Sequence, residues 1–271
     1  MVRESEKRAE ITKTLASAGV FDPAFEAREV IREYAGAVFP GDALSDDVLR
    51  RIDEAVARRV TGEPLQYIFG KWEFYGFPFF VGEGVLIPRP ETELLTDIAV
   101  KRLRAGDTAI DLCSGTGCIP ISVALKTGAR CCAVELYEAA FSYLTRNIEL
   151  NHADVTAVRA DARDGTLFPE QTFDAVFCNP PYLTGAEMRS LMREVAFEPE
   201  TALYGGEDGL DFYRAIVPVW SKRLAPGGFM AVEIGETQGE AVAGIMRSVG
   251  LAPEIVKDYS GLDRVVVGNA E

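Results

Sequence analysis

Histidine is nearly missing: His152 is the single one in 271 residues. Common zinc ligand sets are therefore excluded, and Ser-His-Asp or Cys-His nucleophilic mechanisms lack their base, so no metal site is expected. The five cysteines, Cys113, Cys118, Cys131, Cys132 and Cys178, include no CxxC pair. An odd number without paired spacing points to reduced thiols packed in a cytoplasmic protein, not to a disulfide framework. No apolar run is long enough to span a bilayer, and the N-terminus MVRESEKRAE carries no hydrophobic leader segment. Neither membrane insertion nor export is expected.

Basic residues are outnumbered. Against 42 Asp and Glu stand 28 Lys and Arg, a net charge of −14. So acidic a surface repels phosphate backbones, and no direct nucleic-acid partner is expected. At 48% hydrophobic and 26% charged, the composition excludes a largely disordered or fibrous chain. The length fits one large domain or one with a small neighbour.

Up to about residue 63 the pattern is helical. Ile11, Leu15 and Ala18 share one helical face, and Asp22-Pro23 supplies a cap and a first-turn proline ahead of Val30, Ile31 and Tyr34. A third segment begins at Ser45, runs through Val48, Leu49, Ile52, Val56 and Val60, and closes at Gly62. Helices with such narrow apolar stripes need one another, which predicts a small bundle over 1–63.

Residues 64–88 change character. Aromatic and β-branched residues broken by glycines predict a hairpin connector, with strands over 66–75 and 77–86, that also lines a cleft. From 89 to 271 strands and helices alternate. Strands are expected at 108–112, 130–135, 155–159, 173–178, 228–234, 254–258 and 264–267, with helices at 117–126, 137–151, 186–194, 210–224 and 236–249. This predicts an α/β fold, a doubly wound seven-stranded sheet whose ligand binds beyond the carboxyl ends of the strands.

Three such ends carry chemistry. Asp111-Leu112-Cys113-Ser114-Gly115-Thr116-Gly117 is a glycine-bearing strand-to-helix turn that lets a ligand approach the backbone closely; its lack of a third spaced glycine tilts away from a dinucleotide. Glu135 ends the second strand, where a carboxylate either accepts both ribose hydroxyls or is simply solvated. Asp161, next to Ala162 at the third strand end, is a weaker candidate for an adenine amino group. Asn179-Pro180-Pro181-Tyr182 follows the fourth strand. Its prolines stiffen the loop and remove two donors, leaving an Asn oxygen and carbonyl oxygens beside an aromatic face. A rigid set of acceptors beside a ring suits a planar NH2 group.

Through these motifs the chain resembles class I S-adenosylmethionine-dependent methyltransferases and, more closely, the HemK/PrmC protein-(glutamine-N5) methyltransferases. The resemblance also runs through Pro64–Ile68, Arg89-Pro90-Glu91-Thr92-Glu93, Ala202–Gly206, Glu233-Ile234-Gly235 and Gly261–Val265. It departs at Cys113, where glycine is usual, at Glu135, where aspartate is commoner, and at Asp161-Ala162-Arg163, which lacks the aromatic that many relatives carry. It implies a helical substrate-recognition domain ahead of a methyltransferase domain, a monomer, and a reaction in which the methyl of S-adenosylmethionine passes to the glutamine of the GGQ loop in peptide chain release factors, leaving S-adenosylhomocysteine.

The site residues it implies are Asp111, Cys113, Ser114, Gly115, Thr116, Gly117, Glu135, Asp161, Ala162 and Asn179 for the cofactor. For substrate it implies Asn179, Pro180, Pro181, Tyr182, Arg89 and Glu91, with Asn179, Pro180 and Tyr182 catalytic. Arg89 and Glu91 have a second reading, as a helix start favoured by Pro90 and the helix dipole. Two alternatives keep the chemistry and change the acceptor: a ribosomal-protein glutamine, or the N6 amino group of adenine in a nucleic acid, which the −14 charge disfavours.

Overall fold

The structure is a computed structural model that describes residues 1–270. Two compact units emerge, 1–70 with 192–197, and 71–191 with 198 onward. The first contains α1 (Glu4–Ser17), α2 (Pro23–Ala35), α3 (Asp46–Val60) and the short α4 (Leu65–Phe69). Asp22 accepts from Phe25 N at 2.9 Å, so the Asp22-Pro23 signal starts α2 as expected. The helices share one core built on Ile11, Leu15, Val30, Ile31, Ile52 and Val56. Arg59 is buried in this unit and ion-paired with Glu26 and with Glu194, which ties the 192–197 excursion to the bundle.

The expected strand over 66–75 begins late. Residues 65–69 form α4 instead, closed by Gly70 in the left-handed region (φ 71°). Leu65 and Ile68 both turn inward, a helical spacing that the β-like composition of the segment had masked. In the second unit, β1 (Lys71–Phe74) and β2 (Phe77–Phe80) make an antiparallel hairpin through Tyr75-Gly76, both at positive φ. This unit boundary therefore falls inside the expected 64–88 connector. A 3-10 turn at Pro90–Thr92 then leads into α5 (Glu93–Arg102).

The sheet is laid down by β3 (Thr108–Leu112), α6 (Cys118–Thr127), β4 (Arg130–Glu135), α7 (Glu138–Asn151), β5 (Val155–Arg159) and β6 (Phe173–Cys178). After α8 (Gly185–Met188) come α9 (Asp211–Trp220), β7 (Leu224–Glu233), α10 (Gly239–Ser248), β8 (Ala252–Lys257) and β9 (Asp263–Asn269). Strand order is β5-β4-β3-β6-β7-β9-β8, parallel except for the pairs that β9 makes with β7 and β8. Chain order runs outward from β3 and then jumps to β6, which places a switch point beside β3. Both faces are covered, one cluster holding Leu95, Ile121 and Phe177, the other Val176, Trp220 and Met230.

Of the helix expected over 186–194 only the first turn forms. A capping box between Thr184 and Glu187 starts α8, which ends after four residues. Beyond it, Met192 is 71% exposed, and the charged stretch has no apolar face to bury.

Candidate active site

The carboxyl ends of β3, β4, β5 and β6 open onto one cavity, which encloses about 920 Å³ including its mouth. Cys113, Ser114, Gly115, Thr116, Glu135, Asp161, Ala162, Asn179, Pro181 and Arg89 line it. Asp111, Gly117, Pro180, Tyr182 and Glu91 are not among its lining residues.

The turn after β3 takes three left-handed residues, Cys113 (φ 60°), Gly115 (φ 54°) and Gly117 (φ 80°). Cys113 thus holds the conformation that favours glycine, at a cost of roughly 1–2 kcal/mol. Gly117 is required on two counts, since an added Cβ there would sit 2.5 Å from the Leu144 side chain. Glu135 is 6% exposed, which removes the solvated strand-end reading. Its Oε2 accepts from Gly115 N at 2.9 Å and its Oε1 from Tyr137 N at 2.8 Å. Burial raises its pKa, and those amides oppose the rise.

Asp111 lies beneath the turn, 1% exposed, and neither carboxylate oxygen has a hydrogen-bond partner among the described residues. Burial, with Glu135 nearby, pushes its carboxyl up to about 8. Asp161 does not stand alone: Arg163 grips it, with Nη2 2.7 Å from Oδ2, and the same guanidinium stacks 5.3 Å from the centre of the Phe212 ring. Phe212 and Arg163 both line the cavity, and neither was singled out from sequence. A lone aromatic forty-nine positions on, inside an ordinary amphipathic helix, gives no local signal.

Asn179 donates through Nδ2 to the Thr92 hydroxyl at 3.2 Å. Tyr182 directs its hydroxyl to Glu233 Oε1 at 3.3 Å, and burial raises its pKa well above the usual phenol. Glu233 is 1% exposed; burial pushes it up to about 7, while Thr92 and Arg264 favour its charged form. Gln238, also missed, donates to the Tyr182 carbonyl at 3.0 Å. Gly205 lets the 202–206 loop press on the motif, because a Cβ there would meet the Pro181 carbonyl at 2.6 Å.

Arg89 is ion-paired with buried Glu198, whose other oxygen accepts from Ile87 N at 2.9 Å. Glu91 is exposed within the 3-10 turn that precedes α5, where the helix-start reading puts it. The hairpin is anchored to the turn through buried Asn147, whose Oδ1 accepts from Phe80 N at 2.7 Å and whose Nδ2 donates to Thr116 O at 2.9 Å. Gly84, Val85 and Leu86 reach the cavity from beyond β2, so this segment lines the cleft as expected.

The donor set fits a cationic nucleoside. The Glu135 carboxylate in the cavity wall disfavours a phosphate, and the buried Asp111 carboxyl behind the turn, without a hydrogen-bond partner among the described residues, would ionise more readily opposite a positive centre. Among the described residues no group of three or more His, Cys, Asp or Glu could hold a metal ion, and no helix is long and apolar enough to cross a membrane.

Comparison with known proteins agrees with this geometry. A PrmC N-terminal domain model matches residues 6–70, and a methyltransferase small domain model matches residues 90–206. A release factor glutamine methyltransferase of Geobacter sulfurreducens is 41% identical over 231 residues, 83% of this chain and 80% of that protein. One from Cereibacter sphaeroides is 37% identical over 265 residues, 93% of each. Solved structures share the fold: a methyltransferase from Pyrococcus furiosus (TM-score 0.57, 19% identity, 83% of this chain and 98% of that one), and the T. Thermophilus rRNA methyltransferase RsmC in complex with AdoMet and guanosine (TM-score 0.54, 20% identity, 74% and 50%). The chain belongs to the family of release factor glutamine methyltransferases.

Proposed function

We propose that this enzyme transfers the methyl group of S-adenosylmethionine to the side-chain amide nitrogen of the glutamine in the GGQ motif of peptide chain release factors. The observation that carries the reading is that Asn179 lines the same cavity as Glu135 and the 113–116 turn while its Nδ2 is already given to Thr92. Its Oδ1 is therefore the atom left to accept from a ligand. The relatives' names favour a release factor over a ribosomal protein or an adenine as the methyl acceptor.

When bound, S-adenosylmethionine supplies a methyl carbon on a positively charged sulfur. Glu135 accepts the ribose hydroxyls while keeping its bonds to the turn. Phe212 and Arg163 provide the flat surface for adenine that the 161–163 segment lacks, and Asp161 and Ala162 border it. Cys113, Ser114, Gly115 and Thr116 cradle the remainder, with Asp111 and Gly117 shaping the turn from behind.

An amide nitrogen is a weak nucleophile because its lone pair is delocalised. The Asn179 oxygen and the Pro180 carbonyl accept its two hydrogens, bonds that strengthen as the nitrogen becomes tetrahedral and positive. Tyr182 packs against the amide plane, Pro181 keeps the loop rigid, and in-line positioning provides much of the rate. Methyl transfer would form the nitrogen–carbon bond as the carbon–sulfur bond breaks, leaving S-adenosylhomocysteine, and the proton, by then acidic, would pass to solvent. Arg89 and Glu91 contact the substrate backbone. The helical domain over 1–63 recognises the release factor in the cytoplasm, joined through the 64–88 connector to the catalytic domain over 89–271, and the enzyme acts as a monomer.

The test is to incubate the protein with methyl-labelled S-adenosylmethionine and a purified release factor and to locate the label by mass spectrometry. The glutamine of the GGQ loop should carry it. Label on another residue, or none, would overturn the reading.

A further inference from the structure

The loop that carries Asn179 and Tyr182 leaves a well-paired strand. β6 is bonded to β3 and to β7 as far as Cys178, so the sheet fixes the loop's entrance. Pro180 and Pro181 then lack an N–H and cannot anchor the loop by donating. Backbone pairing resumes at Leu183, which donates to Leu203 O at 2.8 Å and accepts from Gly205 N at 2.9 Å. Tyr182 lies between, and a distant side chain holds its carbonyl.

That side chain is Gln238, 8% exposed, at the N-cap of α10. Its Nε2 donates to the Tyr182 carbonyl at 3.0 Å and to the Gly209 carbonyl at 3.3 Å, and its Oε1 accepts from Gly235 N at 3.0 Å. Two amide hydrogens thus meet two carbonyls, which only accept, and the oxygen meets an N–H, which only donates. All three contacts select the same orientation of the amide. Gln238 N also donates to Gly235 O at 3.0 Å, so the 235–238 turn is closed twice. Gly209 makes the approach possible: with φ at 72°, a Cβ there would lie 2.3 Å from the Tyr182 carbonyl oxygen and 2.4 Å from Gln238 Nε2.

The corner between β7 and α10 meets Tyr182 at two further places. Glu233 Oε1 receives its hydroxyl at 3.3 Å. Gly235 lies against its ring, since a Cβ there would be 3.6 Å from Cδ2. Gln238 itself does not line the cavity, so any effect it has on the reaction passes through the loop.

We propose that Gln238 is a positioning residue for methyl transfer: its grip on the Tyr182 carbonyl fixes the exit of the Asn179–Tyr182 loop and keeps the Asn179 oxygen and the Pro180 carbonyl aimed at the methyl-accepting nitrogen. This rests on the proposed function, in which those two oxygens receive the hydrogens of a glutamine amide.

The experiment compares wild type with Gln238→Met, which keeps the length of the side chain and removes its three hydrogen bonds. Turnover on a purified release factor is measured across substrate concentrations. Isothermal titration with S-adenosylhomocysteine gives both the affinity and the number of binding-competent molecules. Per competent molecule, kcat should fall by about 10–100-fold, the scale of a misplaced reacting group. KM and S-adenosylhomocysteine affinity should stay within about threefold. An unchanged kcat per competent molecule would make Gln238 structural only and overturn the proposal.

NMR tests the grip without reference to activity. Labelling with 13C-carbonyl tyrosine and 15N leucine marks two peptide groups, Tyr143-Leu144 and Tyr182-Leu183. In Gln238→Met the Tyr182 carbonyl signal should shift and the Tyr143 signal, within α7, should not. In the wild type the Gln238 side-chain amide, both of whose hydrogens are bonded, should exchange slowly with solvent. A Tyr182 signal that ignores the substitution, or fast exchange of the wild-type Gln238 amide whether or not the variant folds, would overturn the proposal. Slow exchange in a wild-type protein that does not methylate the release factor would instead overturn the functional reading, and the role in methyl transfer with it.

Discussion

The Glu135 carboxylate accepts from the backbone N–H of Gly115 at 2.9 Å, which makes the end of β4 and the turn after β3 one structural unit. Under the proposed function, the side chain that would meet the ribose also shapes the turn through its bond to Gly115. Glu135→Ala therefore removes two contributions at once. Charge-assisted hydrogen bonds are each worth about 1.5–3 kcal/mol, so S-adenosylhomocysteine affinity should fall by at least about tenfold. Isothermal titration checks this, and an unchanged affinity would remove Glu135 from the site.

Asp111 makes the ligand-free fold sensitive to pH. Its folded-state carboxyl is raised from 3.8 to about 8 by burial. Between those values the folded chain binds the proton more tightly than the unfolded chain does. Stability is therefore greatest at the acidic end of that window and is lost as pH rises through it. Asp111→Asn removes this contribution and leaves the smaller one of the same sign from Glu233, raised to about 7. Without cofactor at pH 8 the variant should melt above wild type by roughly 4–8 °C, corresponding to about 2 kcal/mol, with the gap narrowing toward pH 5. A gap that ignores pH in differential scanning calorimetry would contradict this.

Arg163 sits over the Phe212 ring on the cavity wall and is held there by Asp161. Base stacking on an aromatic ring is worth about 1–3 kcal/mol. Phe212→Ala should weaken S-adenosylhomocysteine binding by about tenfold or more while leaving the melting temperature of the ligand-free protein far less changed. Equal titration curves for variant and wild type would place the adenine elsewhere.

Asn147 is fully buried and joins the hairpin, through Phe80, to the Thr116 carbonyl of the turn. Asn147→Ala leaves the Phe80 N–H and two carbonyl oxygens without these partners, at roughly 1–3 kcal/mol for a buried group. Urea denaturation of the full chain should register a loss of about 2–4 kcal/mol. An undisturbed midpoint would show that the hairpin is held by packing alone.

Much of this molecule is legible in its sequence, for identifiable reasons. The parallel core was readable because residues such as 108–112 and 173–178 are short apolar runs between turn signals, and β3 and β6 occupy those positions. Glu135 and Asn179 were legible as cavity-lining residues because strand ends in this architecture face the cleft. Composition misled where tertiary context decided. Residues 65–69 look like a strand but obey a helical period, and 186–194 resemble a helix without a core to support one. Thr92, Glu233, Gln238 and Phe212 were not legible as site residues because their roles depend on partners distant in the chain. Thr92 and Asn179 are 87 positions apart, and Tyr182 and Glu233 are 51 apart. No local spacing encodes such pairs.

The central claim is that the Asn179 oxygen helps to expose a glutamine amide nitrogen to the methyl carbon. Single-turnover methyl transfer by Asn179→Ala, at saturating S-adenosylmethionine and release factor, tests it most directly, with S-adenosylhomocysteine affinity measured on the same preparation. Loss of one group aimed at developing charge costs about 100–1000-fold in rate. The account predicts at least that fall with nearly unchanged cofactor affinity; a variant that transfers methyl groups at close to the wild-type rate would contradict it.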